Sequence, residues 1–181
     1  MVGCSDVTDA AFMHLRGIHT LDMSYCRQPS ITDDAFAHLA GIQRLSMWYC
    51  DQATITDAAF AHLQGIQLLN ISFCTQLTDT AFVHLRGIHT LYMWDCSQPA
   101  ITDAAFVHLR GIHTLVMDSC NIDTITGTAF AHLKNIYALG MWDCSDVQVA
   151  SARSLGLPVH TRDCTSWGGL YFDFESAEKD D

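Results

Sequence analysis

Residues 87–111 contain the stretch that decides the fold, GIHTLYMWDCSQPAITDAAFVHLRG. Close copies recur along the chain, each joining I-x-x-L-x-M/I-x-x-C to a second phrase, T-D-x-A-F-x-H-L, in which Gly once replaces Asp. Self-similarity at 20 to 24 positions predicts a stacked repeat array, and such even spacing argues against a disulfide framework. We count five complete units, a half unit at the front and a degraded unit at the back. The cysteines that mark the period are Cys4, Cys26, Cys50, Cys74, Cys96, Cys120, Cys144 and Cys164.

Each unit is predicted to hold one short strand and one short helix. Leu91 and Met93 alternate with polar or variable residues, which is typical of a strand with one buried face. Thr102 has the hydroxyl of a helix N-cap, and Phe106 lies on the apolar side of the helical turn that follows. The helix is expected to end in a left-handed residue, for which glycine and asparagine are suited. These predicted ends are Gly17, Gly41, Gly65, Gly87, Gly111 and Asn135.

Composition narrows the classes of partner. The chain has 20 acidic and 9 basic side chains and a formal net charge of -11, without any Lys/Arg cluster, so nucleic acid is not an expected partner. No run of about 18 apolar residues occurs, so no membrane association is expected. The first residues lack the basic and apolar regions of a signal peptide, which favours a cytoplasmic or otherwise intracellular protein.

The recurring Leu, Cys and Thr-Asp positions resemble the cysteine-containing leucine-rich repeats of F-box substrate receptors, over about residues 4–144. The resemblance implies an α/β leucine-rich-repeat solenoid with right-handed coils. Short parallel strands would form its concave face and short helices its convex face, and protein recognition would fall to the concave side. Three features depart from the family pattern: Met or Ile replaces one Leu, Phe replaces another, and Gly-Ile replaces the second cysteine. The sequence has no F-box before the repeats, so a ubiquitin-ligase role is not carried over.

A binding surface is expected where the copies differ, on side chains pointing away from the core. Three of the four tryptophans fall in one such row on alternate strands, edged by aspartates. This arrangement favours a partner protein with basic and apolar groups. The alternative is that aromatic residues simply suit strands and pack on each other's flanks. The predicted binding residues are Asp22, Ser24, Tyr25, Trp48, Tyr49, Phe73, Tyr92, Trp94, Asp95, Asp118, Trp142 and Asp143.

Catalysis, cofactors and metals are not expected. A histidine recurs once per unit, but neither a carboxylate nor a cysteine recurs beside it, so a polar flank is favoured over a metal site. The cysteines are predicted to be reduced, small and buried. His160, Asp163 and Cys164 lie close together in the sequence, but they fall in the degraded last unit and suggest a nucleophile only faintly. No catalytic motif is present, and the protein is not predicted to be an enzyme.

The two ends are predicted to differ. Residues 1–164 are expected to form the solenoid, and residues 165–181, which are aromatic and acidic, to form a C-terminal cap and tail or else a docking peptide. The front half unit has no preceding coil, so self-association through this uncapped end is one expectation. The leading function is a protein-binding adaptor, and the alternative is a scaffold subunit that contacts its neighbours through the solenoid ends and tail.

Overall fold

A computed structural model describes residues 1–161. Its strands form one sheet of seven parallel members, each paired with its neighbour in chain order. The recurring leucine is the register mark, because Leu21 pairs with Leu45, which pairs with Leu69. The array is therefore one coil stacked on the next, as the period predicts. The strands are β1 (Thr20–Asp22), β2 (Arg44–Ser46), β3 (Leu68–Asn70), β4 (Thr90–Tyr92), β5 (Thr114–Val116), β6 (Ala138–Gly140) and β7 (Val159–His160).

Most helices contain a single α-helical turn, and a 3-10 turn follows directly in several units. The helix that follows β2, Asp57–His62, is entirely 3-10, and further 3-10 turns span Met13–Leu15, Ala37–Leu39, Val83–Leu85 and Val107–Leu109. The predicted left-handed ends are confirmed: for example, Gly41 has φ +88° and Asn135 has φ +68°. The α-helices are α1 (Asp9–Phe12), α2 (Asp33–Phe36), α3 (Asp79–Phe82), α4 (Asp103–Phe106), α5 (Gly127–Phe130) and α6 (Asp146–Ser154).

The core is one continuous apolar column. In the unit around β4, Leu91, Met93, Cys96 and Ile101 are fully buried, and Phe106 at the end of α4 is buried with them. Equivalent residues of the other complete units belong to the same cluster. Because each coil covers its neighbour, burial of these side chains depends on stacking, which explains how units too small to fold alone form a stable array.

The Thr-Asp pair links neighbouring coils. Thr102 accepts a hydrogen bond from the Ala104 amide and so caps α4, while its own amide and hydroxyl donate to Asp79 at 2.7 and 2.6 Å. The same bidentate contact joins Asp103 to Thr126. Further copies join Asp9 to Thr32, Asp33 to Thr56 and Asp57 to Thr78. We call this set the Thr-Asp ladder.

The cysteines form a second ladder inside the turn that follows each strand. The thiol of Cys74 donates to the Met47 carbonyl at 3.2 Å, and that of Cys120 donates to the Met93 carbonyl at 2.9 Å. All cysteines among residues 1–161 are free thiols, and Cys26, Cys50, Cys74, Cys96 and Cys120 are buried. The prediction of reduced, buried cysteines is therefore confirmed for these positions.

The last units keep the fold while losing the sequence pattern. Helix α6 begins with a capping box formed by Ser145 and Gln148, and β7 pairs in parallel with β6. At the front, the Gly3 amide donates to the Ser24 carbonyl at 2.8 Å, so the first residues lie against the turn after β1. The predicted cap and tail, together with Asp163 and Cys164, lie outside the described residues. Among the described residues, we find no helix that could span a membrane.

Candidate functional site at the turn edge

The residue just before each cysteine from Cys26 to Cys144 adopts a left-handed backbone conformation. Tyr25, Tyr49 and Phe73 have φ of 61°, 60° and 61°. This region costs an L-amino acid about 1–2 kcal/mol, and short polar residues tolerate it better than bulky ones. In the next three units the same position is occupied by residues of that tolerant kind, Asp95, Ser119 and Asp143. Three aromatic residues therefore occupy a conformation that their side chains do not favour.

These aromatic side chains stack on one another across three units. The Tyr25 and Tyr49 ring centroids are 5.5 Å apart with an interplanar angle of 13°, and those of Tyr49 and Phe73 are 4.5 Å apart at 14°. The Trp48 ring lies 5.0 Å from Tyr25 and 6.5 Å from Phe73. Tyr25 is exposed, and the other three side chains are half-buried. We call Tyr25, Trp48, Tyr49 and Phe73 the aromatic ledge.

A charged pair flanks the ledge and leaves it locally neutral. The Arg27 guanidinium binds the Asp51 carboxylate through two contacts of 2.6 and 2.7 Å, and its carbon lies 5.6 Å from the Tyr49 ring centroid. The ion pair is partly exposed, so its contribution to stability is small. Its main consequence is that the ledge presents ring surface without net charge.

The other half of the same edge is acidic. Asp95 and Asp143 are exposed, and neither forms an ion pair with any of residues 1–161. The Ser119 hydroxyl, between them in the stack, donates to Asp143 at 3.4 Å. The turns that follow the carboxyl ends of the strands lie side by side along the stack, and we call this line of turns the turn edge of the sheet. Its half at β1 to β3 is aromatic, and its half at β4 to β6 is acidic. We call Asp95 and Asp143 the acidic end.

The prediction that the residue between Leu and Met faces solvent is wrong for most units. Asp22 is half-buried and Tyr92 is buried. Ser46 and Asn70 are each only 1% exposed, and the Asn70 side chain accepts a hydrogen bond from the Ser72 amide. These residues contribute little surface to a partner.

Part of the next row is buried as well, which corrects two more predicted contacts, Ser24 and Asp118. The Ser24 hydroxyl donates to Asp22 and lies 2.8 Å from the Ser46 hydroxyl. The Asp118 carboxylate accepts from the Trp142 amide at 2.8 Å. Both side chains are buried, so they fix the strand ends rather than contact a ligand.

The buried Asp118 carboxylate explains why position 140 is occupied by glycine. A Cβ at Gly140 would lie 3.0 Å from Asp118 Oδ1 and 3.0 Å from a Val116 methyl group. The absence of a side chain lets Asp118 cross over the strand of the next unit. At Gly140, the variation between units at the position between Leu and Met therefore reflects packing and not partner recognition.

The three tryptophans of the predicted row are unequal. Trp142 is exposed, whereas Trp48 and Trp94 are half-buried. Trp48 packs against ledge rings, which is what the alternative of mutual aromatic packing predicts. At the turn edge, the most accessible aromatic side chains are Tyr25 and Trp142, which lie at opposite ends of the stack.

Two contacts between units went unrecognised in the sequence. The Arg86 Nε–H donates to Nδ1 of His108 at 3.2 Å, and Arg110 makes the same kind of contact with His132. At the opposite edge of the sheet, His89 stacks on His113 at 4.4 Å, and His113 stacks on Tyr137 at 4.6 Å. The recurring H-L-R phrase was the available signal for the first contact, since its His and Arg lie two positions apart and repeat at the period of the array.

The buried thiols are unsuited to nucleophilic chemistry. Burial, reinforced by the neighbouring Cys26, raises the pKa of Cys50 to about 12. Burial also raises the pKa of Cys144 to about 11. A thiol must ionise to act as a nucleophile, and these remain protonated at neutral pH. Among residues 1–161, no group of three or more His, Cys, Asp or Glu side chains is placed to hold a metal ion.

Comparison with known proteins identifies the fold. A chain of the crystal structure of the Rad7 and Elc1 complex in yeast matches with a TM-score of 0.62 and 18% identity, over 89% of this chain and 46% of that chain. A chain of the TLR13–ssRNA13 complex matches with a TM-score of 0.56 and 16% identity, over 77% of this chain and 27% of that one. The protein is a leucine-rich-repeat solenoid. It spans less than half the length of either matched chain.

Sequence comparisons add nothing to this assignment, since no family model and no curated protein matches the chain. One structural neighbour is in complex with RNA. The likeness therefore does not support the predicted exclusion of nucleic acid, which depends on the charge of this chain alone. At these identities the neighbours show the fold alone.

Proposed function

We propose that this protein is a protein-binding repeat module whose contact surface is the turn edge of the sheet. The observation that carries the proposal is the left-handed conformation of Tyr25, Tyr49 and Phe73. Backbone strain of this kind concentrates at functional positions, because a fold without such a demand would place Gly, Asn or Asp there. Aromatic side chains are also the commonest anchors of protein interfaces.

The proposed role is binding rather than catalysis. The described thiols are buried or half-buried, and the hydroxyls that His89 and His113 contact belong to the buried Thr90 and Thr114. A binding role uses the ledge and the acidic end as they stand. Protein is the proposed partner because the exposed edge offers rings and carboxylates, which suit apolar and basic side chains.

A site-specific cross-linking experiment tests this function. The photoreactive residue p-benzoylphenylalanine, which keeps an aromatic side chain, replaces Tyr49 in one variant and Tyr137 in its matched control. Tyr137 is 68% exposed on the opposite edge of the sheet. We expect irradiation in cell extract to attach a defined protein at position 49 and not at position 137. Equal labelling at both positions, or none at position 49, contradicts the proposal.

Sedimentation separates the adaptor from the scaffold alternative. An adaptor that leaves its turn edge free for another protein is expected to sediment as a monomer at micromolar concentration. A scaffold subunit is expected to self-associate, and cross-links from position 49 would then join two copies of this chain. We propose the adaptor, since the ledge and the acidic end are unlike each other and are not arranged to pair with themselves.

A further inference from the structure

The turn edge is polarised along the stack, and this polarity specifies the kind of segment that fits it. The aromatic ledge spans the units of β1 to β3, and the acidic end spans those of β4 to β6. Both halves occupy the same position in the turn, so they form one continuous line across the coils. A ligand lying along this line meets the stacked rings at β1 to β3 first, and then carboxylates, each beside a single tryptophan, Trp94 or Trp142, at β4 to β6.

Charge is distributed in the same way. The Arg27–Asp51 pair neutralises the ledge side, whereas Asp95 and Asp143 have no cationic partner among residues 1–161. The whole chain carries a net charge of -11, which adds a background attraction for cations. Uncharged ring surface favours apolar side chains, and uncompensated carboxylates favour Lys or Arg.

We propose that the ligand is an extended protein segment with an apolar end and a basic end, which lies across the units with the apolar end on the ledge. Neighbouring parallel strands are about 4.8 Å apart, so the line from Tyr25 to Asp143 is roughly 24 Å long. An extended chain advances about 3.3 Å per residue and covers this length with about eight residues. The two carboxylates are two units apart, which places the two basic residues about three positions apart. This inference depends on the proposed protein-binding function.

The probes are fluorescein-labelled eight-residue peptides of one composition. One peptide groups three apolar residues at one end and places two lysines three positions apart at the other, and it is made in both chain directions. A second peptide alternates the same residues, and a third replaces the lysines with glutamates. Fluorescence anisotropy at low salt gives the Kd of each.

We expect the grouped peptide, in one of its directions, to bind about tenfold more tightly than the alternating and glutamate peptides. In Asp95→Asn/Asp143→Asn, the preference for lysine over glutamate should fall to about twofold or less. Tyr49→Asn should weaken the grouped and glutamate peptides alike. Asparagine tolerates the left-handed conformation, so these variants keep the fold. Circular dichroism checks that they do.

Equal binding of the grouped and alternating peptides overturns the inference, as does the absence of binding or a lysine preference that survives in Asp95→Asn/Asp143→Asn. These failures differ from failure of the proposed function. If position 49 captures a defined protein while the peptides fail, the proposed protein-binding function stands and the proposed apolar and basic segment is wrong. If position 49 captures nothing, both proposals fall.

Discussion

At the scale of single residues, the pKa of His108 is changed by a side chain from the neighbouring coil. Burial and the adjacent Arg86 guanidinium lower its pKa below the ordinary 6.5, and Asp79 opposes them with a smaller effect. The neutral ring accepts the Arg86 hydrogen bond at Nδ1, and protonation at that nitrogen removes the acceptor. The folded state therefore binds fewer protons at this site than the unfolded state.

The pH dependence of stability follows from this sign. The His108 contribution is fully present above pH 6.5 and is lost as the pH falls through 6.5 towards the lower folded pKa. In Arg86→Gln we expect the pKa of His108 to rise and the loss of stability in this window to shrink. NMR titration of the ring proton, assigned with His108→Gln, measures the pKa. An unchanged or lower pKa in Arg86→Gln contradicts the assignment.

At the scale of elements, the Thr-Asp ladder joins one helix start to the next. The Asp79 carboxylate, at the start of α3, accepts hydrogen bonds from both the amide and the hydroxyl of Thr102, which caps α4. Hydrogen bonds to a charged acceptor are stronger than neutral ones, and both would be lost together if the carboxylate were removed. The ladder therefore adds hydrogen bonds between neighbouring coils to the apolar packing that already joins them.

Asp79→Ala is expected to lower the free energy of unfolding by about 2 kcal/mol, because two hydrogen bonds to Thr102 disappear. The matched control is Asp34→Ala. Asp34 is also in the first turn of its helix, but it is exposed and its carboxylate takes no part in the ladder. Its replacement should cost about 0.5 kcal/mol or less. Urea denaturation measures both, and equal losses in the two variants would contradict the role of the ladder.

The strands and helices were predictable from sequence because the same residue pattern recurs in each unit. A short pattern that would be ambiguous once becomes clear when several copies agree. Leu91 and Met93 predict their strand, and Thr102 predicts the start of α4, since the same pattern recurs in register unit after unit. From the sequence, the threonine of the Thr-Asp pair is predicted only as a helix cap. Its second role depends on the distance between coils, which no single unit encodes.

The site was harder to predict, because its exposure depends on neighbours in other units. Asn70 is buried although its position alternates correctly for the outer face of β3. Tyr25 and Tyr49 were predicted as contacts from their variability alone. Their left-handed backbone could not be expected from residue type, since aromatic side chains disfavour it. The turn-forming residues at 95, 119 and 143 were the available signal for that conformation.

At the scale of the whole molecule, the array is built from interchangeable coils. Removal of residues 79–102 deletes 24 residues and joins Thr78 to Asp103, so every remaining ladder contact keeps its partner type. We expect this variant to fold cooperatively, with a urea m-value reduced roughly in proportion to the surface lost. Circular dichroism and urea denaturation measure the outcome.

The control deletes residues 79–90, which removes α3 but leaves part of the strand that follows. This deletion shifts later apolar side chains out of register with the core, and it should abolish cooperative unfolding. If the 24-residue deletion is unfolded, or if the half-unit deletion is as stable, the coils are not the independent building blocks that the stacking implies.

The Thr-Asp ladder also sets a direction for change in the number of coils. Thr126 still donates to Asp103, but Gly127 stands where the earlier units have Asp, and a Cβ there would lie 3.5 Å from Ser151 of α6. If gene duplication added a unit before this point, the aspartate of the preceding helix could accept the hydrogen bonds of the new unit's threonine. Gly127 itself has no carboxylate to offer to the helix that follows. A unit inserted before Thr126 would therefore keep the ladder unbroken, whereas a unit inserted after Gly127 would lack this contact with the helix before it.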